Sequence, residues 1–416
     1  MDAFQYSLRR RREPINIAEW RQAARRALPD MIWAYVEGAA ESTRTARRNE
    51  DAFGDYWLRQ RAFAGVTAPN LAVTVAGETV SMPVMLAPTG LAGLAHWSGD
   101  IACARAAMGA GTRFVLSTGS SYTMEEVAAA APGPRWFQLY PFGDRDTVGS
   151  LLERAATAGY TALFLTVDVP VLGNREAERS HGLTVPPTLT PGHLLDFALH
   201  PRWALRALIH KRNAAIHYVE GNRRATGAAI KSVLAQSRAM QPRLVWDDLA
   251  WVREHWRGRL YVKGILDPDD AQRAVEVGGA DGVVVSNHGG RQLDAALATL
   301  DALPAIVERV GTSGEVLFDG GVRRGRDAII AMCLGAKGVF IGRPYVYGLA
   351  ATGQGGVEKV LAIFRADLER TLILMGCPNV AALDESWLLR AAAPEIAQCW
   401  GAKAPGVSLP ARAVHT

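Results

Sequence analysis

The stretch GVVVSNHGGR, residues 282–291, joins a β-branched run to polar residues and a pair of glycines. A run of this kind predicts a short buried strand, and the residues after it lie at the strand's carboxyl end. Seven more runs share this form. The eight predicted strands cover residues 83–87, 114–118, 135–139, 162–167, 260–264, 282–286, 315–319 and 338–342.

Amphipathic, alanine-rich stretches of helical period separate most of these strands, for example residues 144–159 and 267–278. The alternation indicates a βα repeat. Because the strands are almost entirely apolar, we expect a parallel sheet whose outer face is covered by helices. Eight such units predict an α/β fold of the (β/α)8 or TIM-barrel type, and an open doubly wound sheet is the alternative.

Three segments fall outside the repeat. Residues 14–60 predict helices, one of them starting at Pro29, and an extended segment follows at 71–80. About ninety residues replace the crossover between the fourth and fifth strands. We therefore divide the chain into an N-terminal helical extension and barrel lid (1–80), a barrel (81–377) with an insertion at about 186–243, and a C-terminal tail (378–416).

Composition narrows the class of protein. With 416 residues, 49% hydrophobic and 21% charged, the chain can bury a large core. The cysteines lie far apart in the sequence, without zinc-type spacing, so we expect neither a disulfide framework nor a metal site. Four arginines at 9–12 precede no apolar stretch, which argues against a secretory signal. The uncharged residues 79–99 are interrupted by proline and glycine, so no membrane span is expected.

The positive charge is local. Residues 201–243 hold nine lysines and arginines against one acid, which is +8, whereas the whole chain carries +5 and the remainder therefore −3. A basic patch of this kind is no argument for a nucleic-acid partner of the whole protein. We expect no such partner.

Polar residues follow the predicted strands, where a barrel has its active site. Two of these strand ends, DGGVR and IGR, combine glycine with arginine, and their backbone N–H groups can bind an anion. They predict a phosphate site rather than structural turns alone. The residues concerned are Asp319, Gly320, Gly321, Val322, Arg323, Gly342 and Arg343.

Two further strand ends carry charge. Lys263 ends an otherwise apolar strand, so its ammonium must face a negative group or reach solvent. His288 and Arg291 share one loop, and Asp168 ends another strand. Together these residues predict a general base with an orienting carboxylate, although an isolated histidine would more often be structural.

The sequence resembles the FMN-dependent 2-hydroxy acid dehydrogenase/oxidase family, which includes glycolate oxidases, lactate dehydrogenases and mandelate dehydrogenases. The resemblance runs from about Leu28 to Cys377 and is strongest in two motifs, SNHGGRQLD and FDGGVRRGRDAI. All the matching motifs are SNHGGRQLD (286–294), YVKGI (261–265), FDGGVRRGRDAI (318–329), FIGRP (340–344), LTVDVP (165–170) and FQLY (137–140).

The resemblance implies roles for single residues. His288 would take a proton from the substrate, Asp168 would stabilise the charged histidine, and Arg291 and Arg175 would hold the substrate carboxylate. Tyr35 and Tyr140 would complete the substrate site. Hydride transfer and carbanion formation both need the same base and remain alternatives. The implied contacts to FMN, besides the phosphate site, are Pro88, Thr89, Gly90, Ser117, Gln138, Thr166, Lys263 and Ser286.

Two glycines bear on the substrate. Gly90 stands where mandelate-type dehydrogenases have glycine and glycolate-type oxidases alanine, and Gly119 replaces a large aromatic residue of glycolate oxidase. A roomier pocket predicts (S)-mandelate, oxidised to benzoylformate. The alternatives are L-lactate as substrate, dioxygen as acceptor, or a catalytically inactive FMN barrel that serves as a binding module.

The insertion contains LLDFALHPRWALRALIHKR (194–212), which resembles the membrane-attachment segment of mandelate and bacterial lactate dehydrogenases. Apolar residues interleaved with bases are typical of an interfacial segment on anionic lipid, although a solvated loop is the alternative. We therefore expect a peripheral protein at the cytoplasmic face of the inner membrane, with a membrane quinone as electron acceptor. The family implies a homotetramer.

Overall fold

Three helices lie between residues 17 and 51, and strand β1 (Tyr56–Leu58) replaces helix at the end of the predicted helical range 14–60. The computed structural model describes residues 13–141, 144–184, 187–218 and 244–390. Helix α1 (Ile17–Ala27) is capped by Asn16, whose side chain accepts a hydrogen bond from the Glu19 backbone N–H. Helix α2 (Asp30–Glu37) starts directly after Pro29, at the predicted point. Helix α3 (Arg44–Asp51) follows.

Three short strands precede the barrel. Strands β2 (Val73–Val75) and β3 (Glu78–Val80) form a hairpin in the segment predicted to be extended. Strand β1 (Tyr56–Leu58) is not part of this hairpin. The Ala76 N–H at the hairpin turn donates to the Glu315 carboxylate (3.0 Å). Val75 and Ala76 pack against the inward-facing barrel residues, so the hairpin closes the amino end of the barrel.

Eight parallel strands form one sheet in sequential order, and a bridge between Leu86 and Phe114 joins the first strand to the second. All eight lie where the sequence predicts them, so the (β/α)8 barrel is confirmed. The strands are β4 (Val84–Leu86), β5 (Val115–Ser117), β6 (Arg135–Leu139), β7 (Tyr160–Thr166), β8 (Arg259–Ile265), β9 (Gly282–Val285), β10 (Glu315–Asp319) and β11 (Gly338–Ile341).

The remaining α-helices and one more strand lie outside the barrel sheet. Strand β12 (Leu388–Arg390) pairs antiparallel with β1 and so ties the end of the described chain to its beginning. The helices are α4 (Ala92–Ala95), α5 (Gly99–Gly109), α6 (Met124–Ala130), α7 (Arg145–Thr157), α8 (Glu176–Ser180), α9 (Pro191–Leu199), α10 (Pro201–His210), α11 (Trp246–His255), α12 (Pro268–Glu276), α13 (Thr299–Val310), α14 (Gly325–Cys333), α15 (Arg343–Thr352) and α16 (Gln354–Met375).

The two-residue period of the strands places polar groups at one end of the barrel. Inward-facing side chains pack as an aromatic layer, in which Phe164 stacks on Tyr261 at 5.1 Å between ring centroids. The next inward position on a strand lies two residues further along and nearer its carboxyl end. On β5, β6, β7, β8 and β10 that position is polar. The five residues are Ser117, Gln138, Thr166, Lys263 and Asp319, and all are buried.

The insertion after the fourth barrel strand is partly described. Its helices α9 and α10 each start at a proline, Pro191 and Pro201. Within the described ranges, no helix has the length and apolarity to cross a membrane. The predicted membrane contact reaches to residue 243, and its portions at 186 and 219–243, with five of the nine bases, lie outside the described residues.

Candidate active site

A cavity of about 460 Å³ opens at the carboxyl ends of the barrel strands. Its volume is within the range of about 300–1,000 Å³ that is usual for small-molecule and cofactor sites. The structure brings most of the predicted site residues together on its wall. These are Tyr35, Pro88, Thr89, Gly90, Gln138, Tyr140, Thr166, Arg175, Lys263, His288, Arg291, Asp319, Gly320, Gly321, Val322, Arg323, Gly342 and Arg343.

The other three predicted residues support the wall from behind. Asp168 binds His288, Ser286 accepts a hydrogen bond from the Lys263 ammonium (2.7 Å), and Ser117 donates to the Gln138 side chain (2.9 Å). They are placed to orient wall residues.

His288 lies between a carboxylate and a phenol. Its Nδ1 is 3.0 Å from Oδ1 of Asp168, and its Nε2 is 3.2 Å from the Tyr140 hydroxyl. Because a carboxylate only accepts, Nδ1 carries the proton in the neutral ring. The lone pair is then on Nε2, where Tyr140 can donate to it. This arrangement suits a general base whose proton-accepting atom is Nε2.

The surroundings keep this base neutral at rest. Burial lowers the pKa of His288 below its ordinary value, helped by the charges of Lys263 and Arg175 and opposed by Asp168. Burial by itself raises the pKa of Asp168, but the contacts with His288 and the charge of Lys263 outweigh it, so this pKa is lowered. Asp168 therefore stays ionised and can stabilise His288 once it is protonated.

The loop of His288 has an unusual backbone. His288, Gly289 and Gly290 all have φ between 60° and 74°. Glycine adopts this conformation without a steric penalty, whereas a histidine in it is uncommon. A Cβ at Gly290 would lie 2.6 Å from the Ala46 Cα of helix α3. The glycines thus let α3 close over the loop that presents the imidazole, and the strained residue is the proposed base.

Two arginines and one glutamate form a buried group beside His288. Arg291 contacts the Glu178 carboxylate (2.7 Å), and Arg175 lies 3.8 Å from the same oxygen. Burial, together with the charge of Arg291, lowers the pKa of Arg175. Two cations and one anion leave a single positive charge, which matches a monocarboxylate. Glu178 was missed from the sequence, although its position three residues after Arg175 could have indicated the pair.

Tyr35 and two glycines define another part of the wall. The Tyr35 hydroxyl donates to the Gly90 carbonyl oxygen (2.9 Å), and the Arg291 guanidinium lies over its ring at 5.3 Å. A Cβ at Gly119 would lie 3.3 Å from the Gly90 Cα, so the two glycines are adjacent. Both line the cavity, and neither adds a side chain to its wall.

The polar layer at the barrel mouth is connected through side chains. The Lys263 ammonium lies 2.8 Å from the Asp319 carboxylate. Asp319 is thus the negative group that the sequence led us to expect beside Lys263. The Gln138 amide donates to the Thr166 hydroxyl (3.0 Å). A cation beside amide and hydroxyl groups suits the polar edge of a flavin ring.

The last two barrel strands end at an anion site. Arg343 donates to the carbonyl oxygens of Gly289 and Gly38, but its buried Nε has no partner among the described residues. Burial lowers its pKa to about 10, so an anion beside it would stabilise its charge. A Cβ at Gly321 would lie 1.9 Å from the Asn49 carbonyl oxygen. Arg323 also lines this end and is paired with Glu50 (2.7 Å).

These observations test whether FMN fits. The unpartnered Nε of Arg343 and the glycine turns fit its phosphate, and the layer of Lys263, Gln138 and Thr166 fits its ring. His288 and the arginines remain on the cavity wall beyond that layer, where a substrate carboxylate and hydroxyl could bind. The donor set therefore matches FMN together with a small hydroxy acid.

Comparisons with known proteins identify the family of the chain. The FMN-dependent dehydrogenase family matches residues 24–390. The (S)-mandelate dehydrogenase of Pseudomonas putida is 38% identical over 90% of this chain and 93% of its own length. An L-lactate dehydrogenase of Caulobacter vibrioides is 42% identical over 90% of this chain and 97% of its own length.

Solved structures are similar over the same extent. The crystal structure of the monotopic membrane protein (S)-mandelate dehydrogenase has a TM-score of 0.87 and 38% identity, covering 91% of this chain and all of that one. A mandelate oxidase with bound (S)-2-phenylpropionate has a TM-score of 0.72 and 32% identity, over 89% of this chain and 97% of the other.

Proposed function

The chain belongs to the FMN-dependent dehydrogenase family, and from that premise we propose that it oxidises (S)-mandelate to benzoylformate and passes the electrons to a membrane quinone. The family and the relatives show the reaction class: the protein is an FMN-dependent 2-hydroxy acid dehydrogenase. The substrate side chain and the acceptor are the proposed parts.

The pair Gly90 and Gly119 supports an aromatic substrate most directly. Both are on the cavity wall, and a Cβ at Gly90 would lie 3.5 Å from the Tyr35 hydroxyl. Because a substrate that hydrogen-bonds Tyr35 must pass close to both glycines, its side chain gains the space that two side chains would otherwise fill. A phenyl ring needs that space, whereas a methyl group does not.

The wall residues have the chemistry that the reaction requires. Arg291 and Arg175 bind the substrate carboxylate, and Tyr35 and Tyr140 hydrogen-bond its polar atoms. Nε2 of His288 accepts one proton, and Asp168 stabilises the resulting imidazolium. Bound FMN would supply the two-electron acceptor. The 2-hydroxy acid thereby loses two electrons and two protons in total.

Filling the space at Gly119 tests the substrate. We expect Gly119→Val to lower kcat/KM for (S)-mandelate by about tenfold or more, with a smaller loss for (S)-lactate. Gly355→Ala is the matched control, because a Cβ there meets nothing within 4 Å. An equal loss for both acids would show that this space does not hold the substrate side chain.

L-Lactate is the second candidate. The lactate dehydrogenases among the relatives reach 42% identity, slightly above the mandelate dehydrogenase at 38%. Values of kcat/KM for (S)-mandelate, (S)-lactate and glycolate, measured with one enzyme and one acceptor, separate the candidates. A higher value for lactate than for mandelate would replace the proposed substrate.

Helices α9 and α10 support attachment to a membrane surface. Their exposed apolar side chains are those of Leu194, Leu195, Leu199, Leu205, Leu208 and Ile209. Arg202, Arg206 and Lys211 are exposed between or beside them. Each such base contributes about 1 kcal/mol on anionic lipid. We infer peripheral attachment at the cytoplasmic face of the inner membrane, and we propose a homotetramer.

Vesicle flotation tests the attachment. The holoenzyme should float with anionic phospholipid vesicles, and a Leu195→Ser/Leu208→Ser variant should remain in solution while its turnover with a water-soluble acceptor is unchanged. Equal flotation of both proteins would rule out this face.

The electron acceptor is tested by comparing turnover rates with dioxygen and with a quinone. Turnover with dioxygen as fast as with a quinone would make the protein an oxidase.

A further inference from the structure

One part of the cavity wall is apolar and has no role in holding FMN or the substrate's polar atoms. We name it the apolar annex and define it by Met31, Ile32, Leu94, Leu183, Phe197 and Trp203, all of which line the cavity. Phe197 and Trp203 come from the insertion helices α9 and α10, and their rings lie 5.5 Å apart. The insertion therefore contributes to the active-site cavity as well as to the surface.

Helix α2 fixes the position of the annex relative to the reacting groups. Met31 lies four residues before Tyr35, so the Cα atoms of these two residues are about 6 Å apart along the helix axis, and both side chains line the cavity. At the start of this helix, the Asp30 N–H donates to the Asp196 carboxylate of α9 (2.7 Å). The chain thus holds the insertion directly against the helix that carries Tyr35.

Helix α10 contacts the segment that contains Leu94 and Trp97. The Trp203 indole N–H donates to the Leu94 carbonyl oxygen (2.7 Å), and the rings of His210 and Trp97 stack at 3.9 Å. Leu94 lies four residues after Gly90, in the segment that begins at the substrate pocket. Helices α9 and α10 therefore form one wall of the annex, and hydrogen bonds join them to α2 and to Leu94.

The two helices present different faces to the cavity and to solvent. Phe197 lines the cavity, whereas Leu195 and Leu199 on the same helix are 63% and 71% exposed. On α10, Trp203 lines the cavity and Leu208 is 72% exposed. Only the thickness of these helices separates the proposed membrane surface from the annex.

We propose that the apolar annex is the binding site for the ring of a lipophilic quinone that reaches the cavity from the membrane. The proposal rests on the proposed function, which supplies the quinone as acceptor. None of the six annex side chains carries a charge, so the annex suits an uncharged ring and not a hydrophilic anion. The quinone takes two electrons and two protons to become the quinol, which balances those lost by the 2-hydroxy acid.

Two acceptors of different chemistry test the proposal in detergent solution, where membrane attachment plays no part. Phe197→Ala should lower kcat/KM for a short-chain benzoquinone about tenfold, because an apolar ring loses its contact. Turnover with ferricyanide, a hydrophilic anion, should change less than twofold, and so should KM for (S)-mandelate. Leu199→Ala, on the exposed face of the same helix, is the matched control and should change none of these values.

The outcomes separate this proposal from the function on which it rests. A rise in KM for (S)-mandelate with equal losses for both acceptors would assign the annex to the substrate side chain and overturn the proposal. An unchanged quinone kcat/KM in Phe197→Ala would also overturn it. If the wild-type enzyme reduces ferricyanide but no quinone, the proposed acceptor itself is wrong.

A binding measurement supplies a readout that is independent of turnover. The benzoquinone should quench tryptophan fluorescence of the oxidised holoenzyme with a saturable component, and this component should be lost in Trp203→Phe. Persistence of the full component in that variant would contradict binding beside Trp203.

Discussion

The imidazole of His288 owes its chemistry to two neighbours with different demands. Asp168 can only accept a proton, and it thereby assigns the free lone pair to Nε2. The Tyr140 hydroxyl lies 3.2 Å from Nε2, so a substrate hydroxyl that binds Tyr140 would lie close to the proton-accepting atom of His288. His288 could be proposed as the base from the sequence because histidine, arginine and glycine share one loop. The tautomer could not, since it depends on a side chain 120 residues away.

A pH profile tests this electrostatic account. Because only neutral His288 accepts a proton, kcat/KM should rise with pH through its pKa, and burial places that pKa below the ordinary value of about 6.5. Asp168 raises the pKa of His288, so Asp168→Asn should move the acid limb to still lower pH. The same variant should lose about 10²–10⁴-fold in kcat, since the imidazolium loses its counter-charge. A shift of the limb to higher pH would contradict the assignment.

Glu178 was not predicted as a site residue, and it orients Arg291 through an ion pair of 2.7 Å. We expect Glu178→Gln to lower kcat per bound FMN about tenfold or more, because a misplaced guanidinium no longer aligns the substrate. The inhibition constant of an unreactive carboxylate should not rise, since the site becomes more positive. A rise in that constant without loss of kcat would contradict a positioning role.

Glu176→Gln is the matched control for this prediction. Glu176 lies on the same short helix α8, is exposed, and contacts Asn174 rather than an arginine of the site. Its kcat should equal that of the wild type. A merely destabilised protein would lose active enzyme but keep its kcat per bound FMN, so the two explanations are distinguishable.

At the scale of elements, the eight barrel strands could be predicted because each is a short, almost entirely apolar run followed by polar residues or glycine. The polar residues at the strand ends could be read from the same pattern. The pairing of β1 with β12 could not be predicted, since it joins Tyr56 to Arg390 across nearly the whole described chain. The position of α9 and α10 beside the cavity could not be predicted either, because it depends on contacts with distant residues, such as the bond from Trp203 to Leu94.

The turn after β10 makes a prediction at this scale. Gly321 has a φ of 77°, and a Cβ there would overlap the Asn49 carbonyl oxygen. Gly321→Ala should therefore push apart the turn and the end of helix α3 and weaken FMN binding by about tenfold or more. Titration of the apoprotein with FMN, followed by flavin fluorescence, measures the affinity. Affinity equal to that of Gly355→Ala would mean that this turn does not hold the phosphate.

At the scale of the whole molecule, the barrel and the insertion have separate tasks that meet in one cavity. The barrel places the predicted FMN and substrate residues at its mouth, and the insertion places apolar rings beside them. The helical extension joins the two, because α2 carries Tyr35 and also binds α9 through Asp196. Oxidation of the acid and delivery of electrons to a lipophilic acceptor are thus expected at one site.

The most direct test of the central claim is anaerobic addition of (S)-mandelate to the yellow holoenzyme, with absorbance followed in the flavin band near 450 nm. The account predicts that the wild-type protein bleaches and that His288→Ala, with FMN still bound, keeps its colour. Bleaching of His288→Ala at the wild-type rate would contradict the assignment of the base. A wild-type protein that stays yellow with mandelate, lactate and glycolate alike would contradict the account as a whole.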